Sequence, residues 1–117
     1  MQKPGICDTF VIIIQPQQEM KYEDIELIDN EEKHNFELWI DGSRAFIDYK
    51  KRGNTVYILH TEVPQELEGR GVAAAMVEKA LRFLDQHQLR LVPLCSYTQT
   101  FLKRHPEWNY LTEDRKV

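Results

Sequence analysis

Three groups of residues in this chain have types and spacings that suit chemistry. The first is Glu68-Gly69-Arg70-Gly71-Val72-Ala73, two glycines set just before an apolar helical pattern. A glycine-rich turn that opens a helix exposes backbone N–H groups with no intrahelical acceptor, at the positive end of the helix dipole. That arrangement suits a phosphate or pyrophosphate. Gly71 lets a ligand approach the backbone closely, and Ala73 keeps the first turn slim. The second group is His60 and Glu62, two apart on a strand pattern and therefore on one face. An imidazole titrating near working pH can serve as a base or relay, and the carboxylate can orient it. The third is Cys95, which ends an apolar strand just before a helix start, where the dipole lowers a thiol's pKa and raises its reactivity.

Each group also has a plainer reading. Two glycines can simply cap a helix, and a histidine and a carboxylate can sit on an exposed sheet face. A cysteine is often a small buried core residue. Gly69, Gly71 and Ala74 satisfy a dinucleotide fingerprint as well, but the context is wrong for one. Pro64–Glu68 separates the strand from the glycines, and no acidic residue ends the next strand near Leu94 to hold a ribose. The Gly-Lys-Ser/Thr of a nucleotide P-loop is absent too. Cys7, in an irregular stretch, is read as incidental.

The elements that must position these residues follow from periodicity. Ile25 and Leu27 alternate with polar neighbours, a weak strand, and Asp29–Lys33 reads as a solvated loop. Phe36–Ile40 is a strand ending at Asp41-Gly42, a two-residue hairpin signal whose central positions both need positive φ. Ala45–Tyr49 returns, Gly53-Asn54 turns again, and Thr55–Val63 is a long strand halted by Pro64. Then Ala73, Met76, Val77, Ala80, Leu81 and Leu84 recur at helical spacing, giving an amphipathic helix over about residues 70–88. Leu89–Leu94 is a short strand whose nearly continuous apolar run suits burial on both faces. Ser96 is placed to cap a last helix, Tyr97–His105, which must end before Pro106. The class is α+β. The sheet is mostly antiparallel, with only the long strand and Leu89–Leu94 parallel, because a helix joins them.

The 117 residues allow one domain with one core. Residues 1–19, with Pro4, Gly5, a Gln-Pro-Gln-Gln segment and the β-prone run Phe10–Ile14, are expected to form a disordered extension preceding a domain over 20–117. A formal net charge of −4 argues against a nucleic-acid binder, which needs clustered Lys and Arg. Two distant cysteines make neither a disulfide framework nor a metal-ligand set, so no metal and a reducing cytoplasm are expected. The run Phe10–Ile14 is too short for a membrane span or a signal-peptide core.

The segment His60-Thr61-Glu62-Val63-Pro64-Gln65-Glu66-Leu67-Glu68-Gly69-Arg70-Gly71-Val72-Ala73, with Val92-Pro93-Leu94-Cys95 and His105-Pro106-Glu107-Trp108 later, resembles the small GNAT-like family of YjdJ-type N-acetyltransferases. The likeness covers about residues 22–111. It implies an abbreviated GNAT-like fold binding acetyl-CoA as acyl donor, with an amine as acceptor. The resemblance leaves the amine unidentified, on a protein, a peptide or a small molecule. It also implies that Glu68, Gly69, Arg70, Gly71, Val72 and Ala73 hold the pyrophosphate. A distorted part of the long strand, around Thr61, Glu62 and Val63, would then turn backbone N–H groups toward the pantetheine or acetyl carbonyl.

The wider superfamily has Gln or Arg where this chain has Glu68. The phosphates rest mainly on backbone amides, so Glu68 is expected to weaken rather than abolish binding, with Arg70 offsetting its charge. Cys95 and His60 are the catalytic candidates, and the Pro-Leu-Cys match favours Cys95. Tyr97 and Tyr110 are of the type that protonates the leaving thiolate in the superfamily, though packing suits them equally. The superfamily usually has two helices between its first two strands, where this chain has only the loop Asp29–Lys33, so the acceptor side is expected to be open. The alternative is a module that binds or senses CoA without turnover. A thiol redox role for Cys95 lacks a resolving partner nearby.

Overall fold

The computed structural model describes residues 22–112. The extension expected over 1–19, with Cys7 and Phe10–Ile14, lies outside these residues. Among the described residues one five-stranded sheet runs in chain order: β1 (Ile28–Asn30), β2 (Asn35–Ile40), β3 (Ser43–Arg52), β4 (Thr55–Glu62) and β5 (Arg90–Pro93). The first three pairings are antiparallel, and β4 with β5 is parallel. Helix α1 (Val72–Gln86) makes the crossover between β4 and β5, and α2 (Ser96–Arg104) follows β5. A 3-10 turn at Gln65–Leu67 precedes α1, and another covers Pro106–Thr112. This is the α+β arrangement expected of a GNAT-like fold.

Local chemistry explains most of it. Asp41 (φ 52°) and Gly42 (φ 80°) take the positive φ values that a two-residue hairpin with the strands' twist demands. That turn sets Ile40 opposite Ser43, so Leu38 pairs with Ala45 and Phe36 with Ile47, all buried. The alternating apolar residues of β2 and β3 thus face one side. There α1 lays down Val72, Met76, Val77, Ala80, Leu81 and Leu84, and α2 adds Phe101 and Leu102. One core lies between the sheet and both helices. The other face of the sheet carries no helix among the described residues.

Three expectations are corrected. The first strand is Ile28–Asn30 rather than the neighbourhood of Ile25 and Leu27. Pairing of Ile28 with Glu37 and Asn30 with Asn35 draws Asp29 and Asn30 of the presumed loop into the sheet, while Ile25 and Leu27 pack against the core outside any strand. Strand β5 is not buried on both faces: Leu91 is buried and its neighbours only partly. Ser96 is the first residue of α2, not its cap. The cap position is held by Cys95, whose carbonyl accepts the first helical bond from Gln99 N at 3.0 Å.

Candidate functional site

The glycine turn is conformationally bound to its glycines. Gly69 (φ 77°) and Gly71 (φ 76°) both occupy the left-handed region, which any side chain would strain. Gly71 is the N-cap of α1, and the first helical bond runs from Ala75 N to Gly71 O at 3.1 Å. The amides of Val72, Ala73 and Ala74 therefore have no acceptor within the helix. Arg70 does not lean over this turn as expected. Its guanidinium reaches Asp41 in the β2–β3 hairpin at 3.0 Å, and its carbonyl accepts the Tyr22 hydroxyl at 2.8 Å. A cleft of about 390 Å³ flanks the turn, bordered by Gly71, Ala74 and Lys79.

Beside the turn, the two parallel strands part. Their register runs from Thr55 opposite Arg90 to Ile58 opposite Pro93 and stops there. The amides of Leu94 and Cys95 both converge on Ile58 O, each at 3.0 Å. Beyond that point β4 continues to Glu62 paired only with β3, while the other chain turns into α2. The two strands are therefore unpaired with each other beyond Ile58 and Pro93, which leaves a gap in the ladder there.

A bulge decides which side chains line the gap. Asp48 pairs with His60 and Tyr49 with Ile58, so Leu59 has no partner of its own. The distortion thus lies at Leu59, earlier than the expected Thr61–Val63. Its effect still reaches those residues. The extra residue inverts the alternation, so Ile58 and Thr61 face the helices while Leu59, His60 and Glu62 face the open side.

Cys95, 8% exposed, sits at the rim of the gap on the helix side, with Sγ 3.5 Å from Thr61 Oγ1. Burial alone would push this thiol up. The Thr61 hydroxyl, the amides of Thr98 and Tyr97 and the Thr98 hydroxyl outweigh it, and the thiol is held below its ordinary value. No side-chain hydrogen bond of strict geometry caps α2, so the two amides act as nearby dipoles rather than formal partners. On the open side, His60 Nε2 lies 2.7 Å from Glu62 Oε1, with both side chains more than half exposed. The Glu62 hydrogen bond raises the His60 pKa over a small opposing burial effect, and the charges of Glu62, Asp48 and Cys95 add to it. The structure therefore brings His60, Thr61, Glu62 and Cys95 to one stretch of β4, approached from two faces.

A mostly antiparallel sheet whose single parallel pair is joined through a helix opened by a glycine turn is the fold that the resemblance implied. Residues 35–111 match the family model of the GCN5-related N-acetyl-transferases. The chain belongs to that family. It is 35% identical over 82 residues to Protein NATD1 of Bos taurus, covering 68% of this chain and 73% of the relative. The Homo sapiens Protein NATD1 is 33% identical over 82 residues, covering 68% and 73%. The Gallus gallus protein is 31% identical over 90 residues, covering 74% and 82%.

Against the family pattern, the tyrosines separate. Tyr110 lies away from the gap, its hydroxyl donating to Asp85 Oδ1 of α1 at 2.7 Å. Tyr97 follows Ser96 in the first turn of α2, with burial pushing its hydroxyl up. Among the described residues the superfamily's covering helices have no counterpart on the open face. The segment in their place is tied down at the sheet edge: Lys33 N donates to Asn30 Oδ1 at 3.1 Å, Asn30 Nδ2 to Glu37 at 3.0 Å and the Tyr49 hydroxyl to Asp29 at 2.5 Å.

Sequence reasoning missed the floor of that face. Glu37 is buried and accepts from Arg44 Nε at 2.8 Å, Trp39 Nε1 at 3.1 Å and Asn30, while Arg44 also reaches Asn35 Oδ1 at 3.0 Å. Burial works to raise the Glu37 pKa, but the three donors and the Arg44 charge outweigh it and hold the carboxyl below its ordinary range. Hairpin register contained the signal, because a turn at Asp41-Gly42 puts Glu37, Trp39 and Arg44 on one face. Among the described residues no cluster of three or more His, Cys, Asp or Glu forms a metal site, and no helix is long and apolar enough to cross a membrane.

Proposed function

We propose that this protein transfers an acetyl group from acetyl-CoA to an amine, with the donor's pyrophosphate on Glu68–Ala73 and its pantetheine in the gap between β4 and β5. The observation that carries this reading is the parting of the two strands at Ile58 and Pro93, beside amides of Val72, Ala73 and Ala74 that lack helical acceptors. An extended thioester arm fits between strands that no longer pair, where it meets unpaired strand edge rather than side-chain packing. The β5-side edge of Thr61–Val63 is then within reach of the acetyl carbonyl.

The chemistry is divided between two faces. Cys95, as thiolate, attacks the acetyl carbonyl; its S–C bond forms, the C–S bond to CoA breaks, and CoA leaves as a thiolate. Protonated His60, favoured by Glu62, gives that thiolate its proton. Neutral His60 then takes a proton from the amine as nitrogen attacks the acetyl-Cys95 carbonyl, and Cys95 departs as thiolate. A thiol held below its ordinary pKa serves as both nucleophile and leaving group. The open sheet face admits an amine on a protein or peptide as well as a small one. A free buried thiol at the centre of the chemistry also fits a reducing compartment such as the cytoplasm.

Incubating the protein with acetyl-CoA and a pool of amines, while following free CoA and amide products, tests the reading. Amine-dependent CoA release is expected. Binding of acetyl-CoA without release would leave a CoA-sensing module, and no binding at all would remove the reading altogether.

A further inference from the structure

Thr98 carries a buried hydroxyl with no hydrogen-bond partner among the described residues. The residue is 1% exposed, and its Oγ1 has no hydrogen bond. Buried hydroxyls are nearly always paired, because desolvation without a bond is costly. A threonine in a helix ordinarily bonds back to a carbonyl one turn earlier, and this one does not.

Its position says what it waits for. Thr98 is the third residue of α2 and Cys95 is the N-cap, so the two share a face one turn apart. In a capping box the side chain at this position reaches back to the N-cap residue's own amide. Here that amide is already spent on Ile58 O at 3.0 Å, so the polar atom left at the N-cap is sulfur. In the neutral thiol the Cys95 proton is directed at Thr61 Oγ1, 3.5 Å away, and the sulfur is only a weak acceptor for the Thr98 hydroxyl beside it. Once the sulfur is ionised it becomes an acceptor for both hydroxyls.

We propose that Thr98 is a positioning residue for Cys95, whose hydroxyl donates to the thiolate and, with Thr61, holds it ionised and aimed at the gap. The proposal rests on the reading of Cys95 as the reacting thiol, yet its test does not depend on acetyl transfer. Two hydroxyls and the first-turn amides of α2 would then form a small anion cradle with the sulfur as its own ligand. The lowering of the Cys95 thiol by Thr98 agrees with this. Titratable groups on the neighbouring elements include His60 and Glu62 of β4, Arg90 of β5 and Tyr97 of α2. His60 interacts with the sulfur electrostatically from the opposite side of the strand.

The experiment is iodoacetamide labelling of the CoA-free protein across pH, read at the Cys95 peptide by mass so that Cys7 does not intrude. The midpoint, rather than the rate at one pH, is the readout, because a less acidic thiolate is also a stronger nucleophile. Thr98→Val is expected to raise the Cys95 midpoint by about one unit, about 1.4 kcal/mol. Thr98→Ser should stay near the wild type. Because the resting hydroxyl is unsatisfied, Thr98→Val should melt no lower than the parent, a pairing of kept stability and lost acidity that a structural role would not produce. A folded Thr98→Val with an unchanged midpoint overturns the proposal. Should that variant not fold, Thr98→Ala carries the same expectation and the same refutation. If Cys95→Ser retains full acetyl transfer while the Thr98 shift is seen, the covalent route fails and this inference stands.

Discussion

His60 and Cys95 approach β4 from opposite faces, and their environments push them in complementary directions. His60 gains a carboxylate partner and holds its proton to higher pH, whereas Cys95 gains donors and gives its proton up earlier. The Glu62 hydrogen bond favours the charged imidazole, so Glu62→Gln should lower the His60 pKa. If neutral His60 takes the amine proton, the acid limb of the pH–rate profile then moves to lower pH. An unmoved limb would assign it to another group. Cys95→Ala should keep acetyl-CoA affinity by calorimetry, since the phosphates are proposed to rest on Glu68–Ala73, while losing most amine acetylation. Full activity in Cys95→Ser would remove the nucleophilic role and leave direct transfer with His60 as base.

At the scale of elements, the site is made by two chain reversals and one bulge. The turn ahead of α1 needs both Gly69 and Gly71 at positive φ, and a Cβ at Gly71 would meet nothing within 4 Å. Gly71→Ala therefore costs backbone strain alone, about 1 kcal/mol, seen as a lower urea midpoint. Gly71→Glu carries the same strain and adds a negative side chain where the phosphates are proposed to lie. Its acetyl-CoA affinity should fall well below that of Gly71→Ala at similar stability. Equal affinities for the two variants would show that the pyrophosphate lies elsewhere. The bulge at Leu59 acts through parity: without the extra residue, His60 would turn to the core and Thr61 away from Cys95.

For the molecule as a whole, a single core joins β2, β3 and β4 to both helices, so loss anywhere in it is felt at the site. Leu84, fully buried on α1, is among its largest members. Leu84→Ala should cost about 2–5 kcal/mol. For a domain of this size that lowers Tm by at least about 8 °C. Calorimetry should show one cooperative transition moving intact, and two resolved transitions would contradict the single core. The opposite face of the sheet has no such core. It is floored instead by the Glu37–Arg44–Trp39–Asn30 bonds, which leave a surface free of helices among the described residues, the side on which the proposed acceptor would approach.

The sequence alone determined features that repeat or that glycine enforces. The hairpin at Asp41-Gly42, the α1 stripe, the parallel return of β5 and the turn at Gly69 and Gly71 each leave a local signature, since periodicity and positive φ are properties of neighbouring residues. The edge strand was missed because Ile28–Asn30 is a strand only by virtue of β2 beside it. The bulge at Leu59 has no composition of its own and arises from matching β3 to β4 while β5 departs. Arg70 went to Asp41, 29 residues away in sequence, rather than to the turn it belongs to. Cys95, read as the residue before a capped helix, proved to be the cap itself, with Thr61 and Thr98 beside it. Contacts of that kind depend on where distant segments pack, so only the tertiary structure could decide them.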